Sequence, residues 1–544
     1  KHLRYLNLSY SDIRTLPESI CDLQNLQTLN LTGCSFLQKL PKHISRLRSL
    51  RHLNIFGCVQ LSELPRNMGR LTFLRTLSIF IVGSKRGCHL EELQGLNLGG
   101  ELEIKGLEKV RSPLDAKKAN LTRKRDIKKL CLYWGTKESE LQEHVVDQVL
   151  EALEPSPTLN IMEIKNYNGV CFPSWLSNGI LENVVSITLS DCKNCSQLPA
   201  LNKLPNLRYL YVHEMNLVQY VDNGYYHGEP LGGFLRLENL MIRNLPNLEK
   251  LSRDDDGKEI FPCLAELYLS HCYKTIELPC IPSLKKLQVW KSNKAILNSI
   301  SKLPGLISLD MHKVDGITSL PDQMLQNLTS LQTLRLEYFP NLRDLPNDML
   351  HGLAVEKLHI QSCDELECFP DGMFQSPSRL KCITIENCKK FKSLSGSFQY
   401  LTALQSLDLC GCPELEAFPN GLDRLSSLRH LTMSGHFHCE ASQCSSPKMA
   451  VLPEALQHLP SLESMVITGY PNLTTLPDWL GKLTSLQELF IGSCPDIRSV
   501  PTSIQNLGNL KTLSIQFCPT LQKRCEHETG EDWHKIAHIP NVCV

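Results

Sequence analysis

Leu26-Gln27-Thr28-Leu29-Asn30-Leu31-Thr32-Gly33-Cys34 is the stretch from which the rest of the chain can be read. Its apolar residues fall at Leu26, Leu29 and Leu31, and across Thr28–Thr32 apolar and polar residues alternate. Successive side chains of an extended strand point to opposite faces, so Leu29 and Leu31 share one face while Thr28, Asn30 and Thr32 share the other. The same L-x-x-L-x-L-x-x-C pattern returns at Leu50, Leu53, Ile55 and Cys58, and at Leu404, Leu407, Leu409 and Cys412. Further copies stand at Leu486, Leu489, Ile491 and Cys494, and at Leu510, Leu513, Ile515 and Cys518.

With the middle apolar position as a ruler, the repeats fall at 6, 29, 53, 77, 102, 130, 162, 187, 210, 240, 267, 287, 309, 334, 358, 383, 407, 431, 465, 489 and 513. The mean spacing of about 25 lies within the 20–29 residues of leucine-rich repeats. One coil cannot bury its own apolar side, whereas stacked coils pool theirs into a continuous core. After each strand, the Cys or Asn is expected to turn the chain and satisfy backbone groups of a neighbouring coil. A second apolar cluster then returns it, as in Leu16-Pro17-x-x-Ile20-x-x-Leu23 and Leu476-Pro477-x-x-Leu480-x-x-Leu483. Proline fixes φ and removes a donor, which suits an irregular or short helical turn. The fold class expected is an α/β solenoid: a leucine-rich-repeat horseshoe of about 21 coils, with a parallel β-sheet on the concave face and an irregular or short helical convex side.

Residues 1–523 are expected to form the solenoid, with insertions near 136–157, 218–234, 252–262 and 436–451, and 524–544 to form a C-terminal cap. A terminal coil exposes the edge of the core, so Trp533, Ile536 and Ile539 are expected to cover the last repeat. Ser112-Pro113-Leu114-Asp115 opens a helix, with Ser as N-cap and Pro in the first turn. Residues 105–129 hold ten Lys/Arg against three acids, and 136–154 six acids against one Lys. That contrast suits either a docking face for a neighbouring domain or a solvated helix paired with its own loop.

Bulk composition narrows the function classes. The chain has 57 Lys/Arg and 57 Asp/Glu, a poor electrostatic footprint for a nucleic-acid binder. No apolar run approaches the roughly 18 residues of a membrane span. Nine of the 23 cysteines recur at one position of the repeat, unlike a disulfide framework, and the cysteines read as thiols of a reducing compartment. His436, His438, Cys439 and Cys444 cluster in one insertion without a common zinc spacing. No catalytic set can be nominated, so an enzyme is not expected. Asn7-Leu8-Ser9 and Asn30-Leu31-Thr32 are formal glycosylation sequons, but both sit on expected strands.

Three features together resemble the leucine-rich-repeat domain of plant coiled-coil nucleotide-binding leucine-rich-repeat (NLR) disease resistance proteins. One is the Leu-Pro-x-x-Ile-x-x-Leu return behind a cysteine-ended strand. Another is CFPSWLSNGILENVVSITLSDCKNCSQLPALNKLPNLRYLYV, Cys171 to Val212, through Pro173, Trp175, Leu176, Cys192, Cys195, Leu198, Pro199 and Leu201. The third is CPTLQKRCEHETGEDWHKIAHIP, Cys518 to Pro540, through Arg524, Cys525, Gly530, Asp532, Trp533, Ile536, His538, Ile539 and Pro540. The resemblance implies a domain that recognises a pathogen effector, directly or through a guarded host protein, and restrains an upstream nucleotide switch. It implies a cytoplasmic or nucleo-cytoplasmic location and contact in cis with the nucleotide-binding domain. The chain starts mid-pattern at Lys1 and shows no phosphate-binding loop. The coiled-coil and nucleotide-binding domains are therefore expected upstream of it. No cofactor is expected in this chain, and ATP or ADP only in that upstream domain.

Residues flanking the inward leucines should line the concave face. There the middle of the array offers Tyr133, Trp134, Tyr167, Tyr209, Tyr211, Tyr268, Trp290, Arg335, Glu337 and Tyr338 as candidate protein-binding residues. Tyr, Trp and Arg dominate interface hot spots, although aromatics of this size also pack sideways on neighbouring coils. Lys286, Lys291, Asp310, His312 and Lys313 could add charge complementarity. The alternative is a ubiquitin-ligase substrate adaptor, whose repeats return through a helix after the cysteine and which needs a docking module not visible here. An extracellular receptor would instead show disulfide-bonded cysteine caps.

Overall fold

The computed structural model describes residues 2–135, 143–226, 229–230, 232–253, 259–275, 277–375, 379–416, 418–419, 421–435 and 447–544. The chain divides into two units, Lys1–Thr275 and Ile276–Val544. Both are leucine-rich-repeat solenoid: each coil gives one short strand to a parallel sheet and returns through a short helix or turn.

In the first unit the inward residues run in register from strand to strand, Leu6 to Leu29, Leu53 and Leu77. A second run links Leu102, Leu130, Met162, Ile187, Leu210, Leu240 and Leu267. In the second unit the row runs Leu287, Leu309, Leu334, Leu358, Ile383, Leu407, Leu431, Met465, Leu489, Leu513. Leu29, Leu53, Leu210, Leu334 and Leu513 are completely buried. Every ruler position thus falls on a strand.

Three local devices make each coil. At the turn, the Cys34 thiol donates to the Leu8 carbonyl of the preceding coil at 3.0 Å, and Cys58 to Leu31 at 3.2 Å. Burial pushes the Cys192 and Cys272 thiols up to about 12, so they stay protonated. Just before that position the backbone enters the left-handed region, for example at Asn166, Lys291, Lys313, Tyr338 and Ser493. This turn lets Tyr338 N–H bond the Gln361 carbonyl at 2.8 Å, extending the ladder by one bond. At Gly33 (φ +72°) glycine serves twice, because the Tyr10 ring occupies the space a Cβ would need. On the return, Pro17, Pro453, Pro477 and Pro501 stand directly before 3₁₀ turns such as Asp478–Lys482, where proline's missing N–H costs nothing.

Two helices occupy the return side of the first unit: Pro113–Lys117, whose Ser112 cap accepts from Asp115 N–H at 3.2 Å, and Glu143–Ala152, which packs beside it and buries Val146, Val149 and Leu150. Lys118 of the basic stretch pairs with Asp115 (3.0 Å) and Glu91 (3.7 Å). Nearby, the Lys124 ammonium is buried and donates to the Leu93 and Leu96 carbonyls at 2.7 and 2.6 Å. Residues 136–142, the acidic start of that insertion, lie outside the described residues, as do 254–258 and 436–446 with His436, His438, Cys439 and Cys444. The 218–234 insertion carries Tyr220–Asp222, which pairs with Lys250–Ser252.

The sheet corrects the ruler in one place. The interval from 77 to 102 implies Ile79 opposite Ile104, but Ile79 pairs with Glu103 and Phe80 with Ile104. The strand of that coil breaks at Ser78 into Thr76–Leu77 and Ile79–Ile81, and the parallel sheet of the first unit is split there. Ile79, Phe80, Ile81 and Val82 form an unbroken buried run, so alternation gives no signal for the phase of this coil.

At the C-terminus, helices Pro519–Arg524 and Trp533–Ile536 lead into a strand, Asn541–Cys543, paired with Thr512–Ser514. Ile536 and Ile539 are buried, but Trp533 is only half-buried and lies against the His527 ring, 4.4 Å between centroids. The central polar anchor is Asp532. It accepts from Arg524 Nε (3.0 Å) and Nη2 (3.1 Å) and from Val500 N–H (3.2 Å), and it meets Lys535 Nζ at 2.8 Å. Gly530 fits because a Cβ there would run into the Arg524 carbonyl.

Burial works against the Asp532 carboxylate, but Arg524, Lys535 and the Val500 N–H outweigh it and lower its pKa from 3.8 to about 2. A depressed carboxyl pKa contributes stability that is complete above about pH 4 and lost as pH falls through 2. Asp532→Asn should therefore lower stability by about 2 kcal/mol at pH 7. In denaturant titrations, the gap between wild type and variant should shrink below pH 4 and close near pH 2. A gap that stays constant to pH 2 would remove Asp532 as the anchor.

Candidate protein-binding surface

Alternation leaves every second strand residue on the open face of each sheet. In the second unit, Lys286–Trp290, Ser308–His312, Thr333–Glu337 and Lys357–Gln361 are consecutive strands in register. Two of the rows that their open-face residues form are Gln288, Asp310, Arg335, His359 and Trp290, His312, Glu337, Gln361.

The second row begins as an aromatic stack. The Trp290 and His312 rings are parallel within 13° with centroids 4.1 Å apart, and Tyr338 follows at 4.6 Å from His312. Tyr338 is carried there by the left-handed turn residue of its coil, and it is 44% exposed. Burial between the rings lowers the pKa of His312 against the opposing pull of Glu337, so it stays a neutral stacking partner near neutral pH.

The first row is a loose ionic mesh. Gln288 Nε2 donates to Asp310 Oδ2 at 2.9 Å. Arg335 lies 3.8 Å from Asp310 and 3.9 Å from Glu337, and His359 lies 3.6 Å from Glu337. The Arg335 side chain, 47% exposed, spends little of its five-donor fork on these long contacts. Lys291 and Lys313 stand beside the stack as left-handed turn residues.

The first unit shows a plainer version. Tyr211, Met241 and Tyr268 are aligned on three successive strands, with Tyr209 on the same face one pleat away. Met241 is 40% exposed and the tyrosines are half-buried. Tyr133, also half-buried, has Lys105 Nζ 5.9 Å from its ring centre.

Two residues expected on this face are in the core. Tyr167 is completely buried, its hydroxyl donating to Asp147 Oδ1 at 2.5 Å and lying 2.8 Å from the Cys171 carbonyl. Burial and the Asp147 carboxylate push its pKa up. It holds the inward turn position that cysteine holds in other coils, five residues past the ruler leucine, and Tyr470 does the same in the second unit. Counting to that position would have assigned both to the core. Trp134, just past the strand Ile127–Tyr133, turns inward edge-on to Tyr167 at 4.9 Å. Sequence reading also missed Gln288, His359 and Met241, which have no distinctive composition and count only through their neighbours.

Repeat coils, open parallel-sheet faces and clustered aromatics on them define a leucine-rich-repeat module of the kind that binds proteins. Among the described residues no helix is long and apolar enough to cross a membrane, and no cluster of His, Cys, Asp or Glu could hold a metal ion. The sequence family described as R13L1/DRL21 LRRs matches residues 90–215 and 434–518, and Leucine Rich Repeat matches 2–23 and 25–47. The chain is homologous to the repeat region of plant coiled-coil nucleotide-binding disease resistance proteins.

It is 38% identical over 271 residues to the RGA1 disease resistance protein of Solanum bulbocastanum, covering 50% of this chain and 27% of that protein. To disease resistance protein RGA2 of the same species it is 36% identical over 375 residues, 64% of this chain and 36% of the relative. The chain therefore matches only part of each relative's length. Among solved structures, a leucine-rich-repeat protein of Leptospira interrogans aligns over 99% of this chain and 95% of its own at 18% identity and TM-score 0.35.

Core and surface tyrosines should respond differently to substitution. Tyr167→Phe removes the buried hydroxyl from Asp147, which keeps the Val170 and Cys171 N–H donors, and should cost about 1–2 kcal/mol. Tyr211→Ala on the open face should stay within about 0.5 kcal/mol of wild type. Thermal melts of the two variants check this, and equal losses would contradict the assignment of faces.

Proposed function

We propose that this chain is the recognition and autoregulatory domain of a plant immune receptor acting in the cytoplasm, or shuttling between cytoplasm and nucleus. It engages a pathogen effector or a guarded host protein through the open sheet face and restrains an upstream nucleotide-binding switch. The Trp290–His312–Tyr338 stack beside Asp310, Arg335 and Glu337 carries the recognition half of this reading. Aromatic anchors next to an under-used arginine are the chemistry of an interface hot spot. A stable interface needs about 800 Å² per partner, and at ~4.8 Å per strand this patch and its neighbouring strands supply it from several coils.

Charge supports the regulatory half. Residues 1–135 hold 23 Lys/Arg against 11 Asp/Glu, and the remainder 34 against 46, so overall neutrality conceals a basic start and an acidic continuation. Exposed Arg51 and Arg75 sit on adjacent coils, bonded through their backbones, and Arg125 and Lys128 follow on a later one. Such a basic edge suits an acidic surface of a neighbouring domain and should make that contact sensitive to salt.

The test is co-precipitation of the chain with its own upstream nucleotide-binding domain and, separately, with partners recovered from infected tissue. Trp290→Ala with Tyr338→Ala should abolish partner capture by at least tenfold and leave the switch-domain contact intact. Arg51→Glu with Arg75→Glu should do the reverse and release signalling without a pathogen. If neither pair alters binding or signalling, the reading fails.

A further inference from the structure

The break at Ser78 creates a site separate from the aromatic surface. Backbone bonds from Gly99 N–H to the Arg75 carbonyl (2.8 Å) and from Glu103 N–H to the Ser78 carbonyl (2.9 Å) bracket the gap in the sheet. The Ser78 hydroxyl accepts from Ile55 N–H at 2.8 Å, so the gap is built into the coil with that amide satisfied. On the open face beside it lies a cavity of about 540 Å³.

Its lining has an apolar base and a charged rim. Leu53, Leu102 and Cys131 are nearly or fully buried, and Phe56, 57% exposed, borders the opening. The charged lining comprises Glu101, Glu103, Glu163, Lys129 and Lys165. Both lysines are committed to Glu163, at 3.0 and 2.6 Å. Glu103 has Lys105 at 3.5 Å and accepts from the Cys131 thiol at 3.9 Å, both long contacts, and Glu101 forms no ion pair among the described residues. The lining lysines are thus engaged, while Glu101 is left without an ion pair and Glu103 is held only by long contacts, so both carboxylates can turn to an occupant.

We propose that this cavity receives an arginine side chain of a protein partner, an inference that rests on the protein-binding reading above. An apolar base suits the aliphatic stem, two carboxylates suit the forked guanidinium, and the Phe56 ring offers a cation–π face. Lysine, a compact point charge, would use only part of this arrangement.

Isothermal titration of the full chain with N-acetyl-arginine methylamide at low salt tests the site without a partner. Saturable binding is expected in wild type, at least tenfold weaker in Glu101→Gln/Glu103→Gln and several-fold weaker in Phe56→Ala, with melting temperatures unchanged. The norleucine analogue should not bind. Absence of saturable binding to wild type, undiminished affinity in the double glutamine variant, or equal affinity for the lysine or glutamate analogue would each overturn the proposal. Trp290→Ala/Tyr338→Ala should bind the arginine probe normally, so failure here is distinguishable from failure of the partner-recognition surface.

Discussion

Contact between the inward aliphatics of one coil and the matching pair of the next is the interaction on which this chain depends. Leu407 and Leu409 are each 1% exposed because Ile383 and Ile385 lie on one side and Leu431 and Met433 on the other. Burying one such side chain is worth about 1.5–3 kcal/mol, but a lone coil could not realise it. The strand bonds, the buried thiols and the left-handed turns hold each coil at the spacing this contact needs. Because inward positions are committed to the core, the intervening residues are the ones left on the open face.

Strand positions were legible because the period-two pattern and the 25-residue repeat reinforce each other across many coils. Legibility failed where one of these signals lapsed. In the coil of Ser78, four consecutive buried apolar residues erased the alternation, and the ruler ran one residue out of phase. Tyr167 was misassigned because tyrosine suggests a surface anchor, while its place in the repeat is the buried one. At the C-terminus the Trp and Ile residues stood out, yet the polar anchor is an aspartate whose role depends on Lys535 three residues on, and on Arg524 and the Val500 amide converging from other segments. No local pattern announces such a convergence.

The open-face candidates divide along the same line. Tyr209, Tyr211, Tyr268, Trp290, Arg335, Glu337 and Tyr338 followed from strand alternation and the turn after it. The stacking of Trp290 on His312 and the mesh through Gln288 and His359 depend on which strands adjoin, which sequence spacing gives only approximately. Function is less legible still. Homology supplies the class of protein, whereas the open-face side chains differ from coil to coil.

Deuterium exchange of the chain carrying Leu407→Ala tests the shared core most directly. Protection should fall in Ser406–Cys410 and also in the flanking strands Cys382–Glu386 and His430–Ser434, while Thr512–Gln516 keeps its own. Loss confined to Ser406–Cys410, or no loss at all, would show that the coils do not depend on one another for burial.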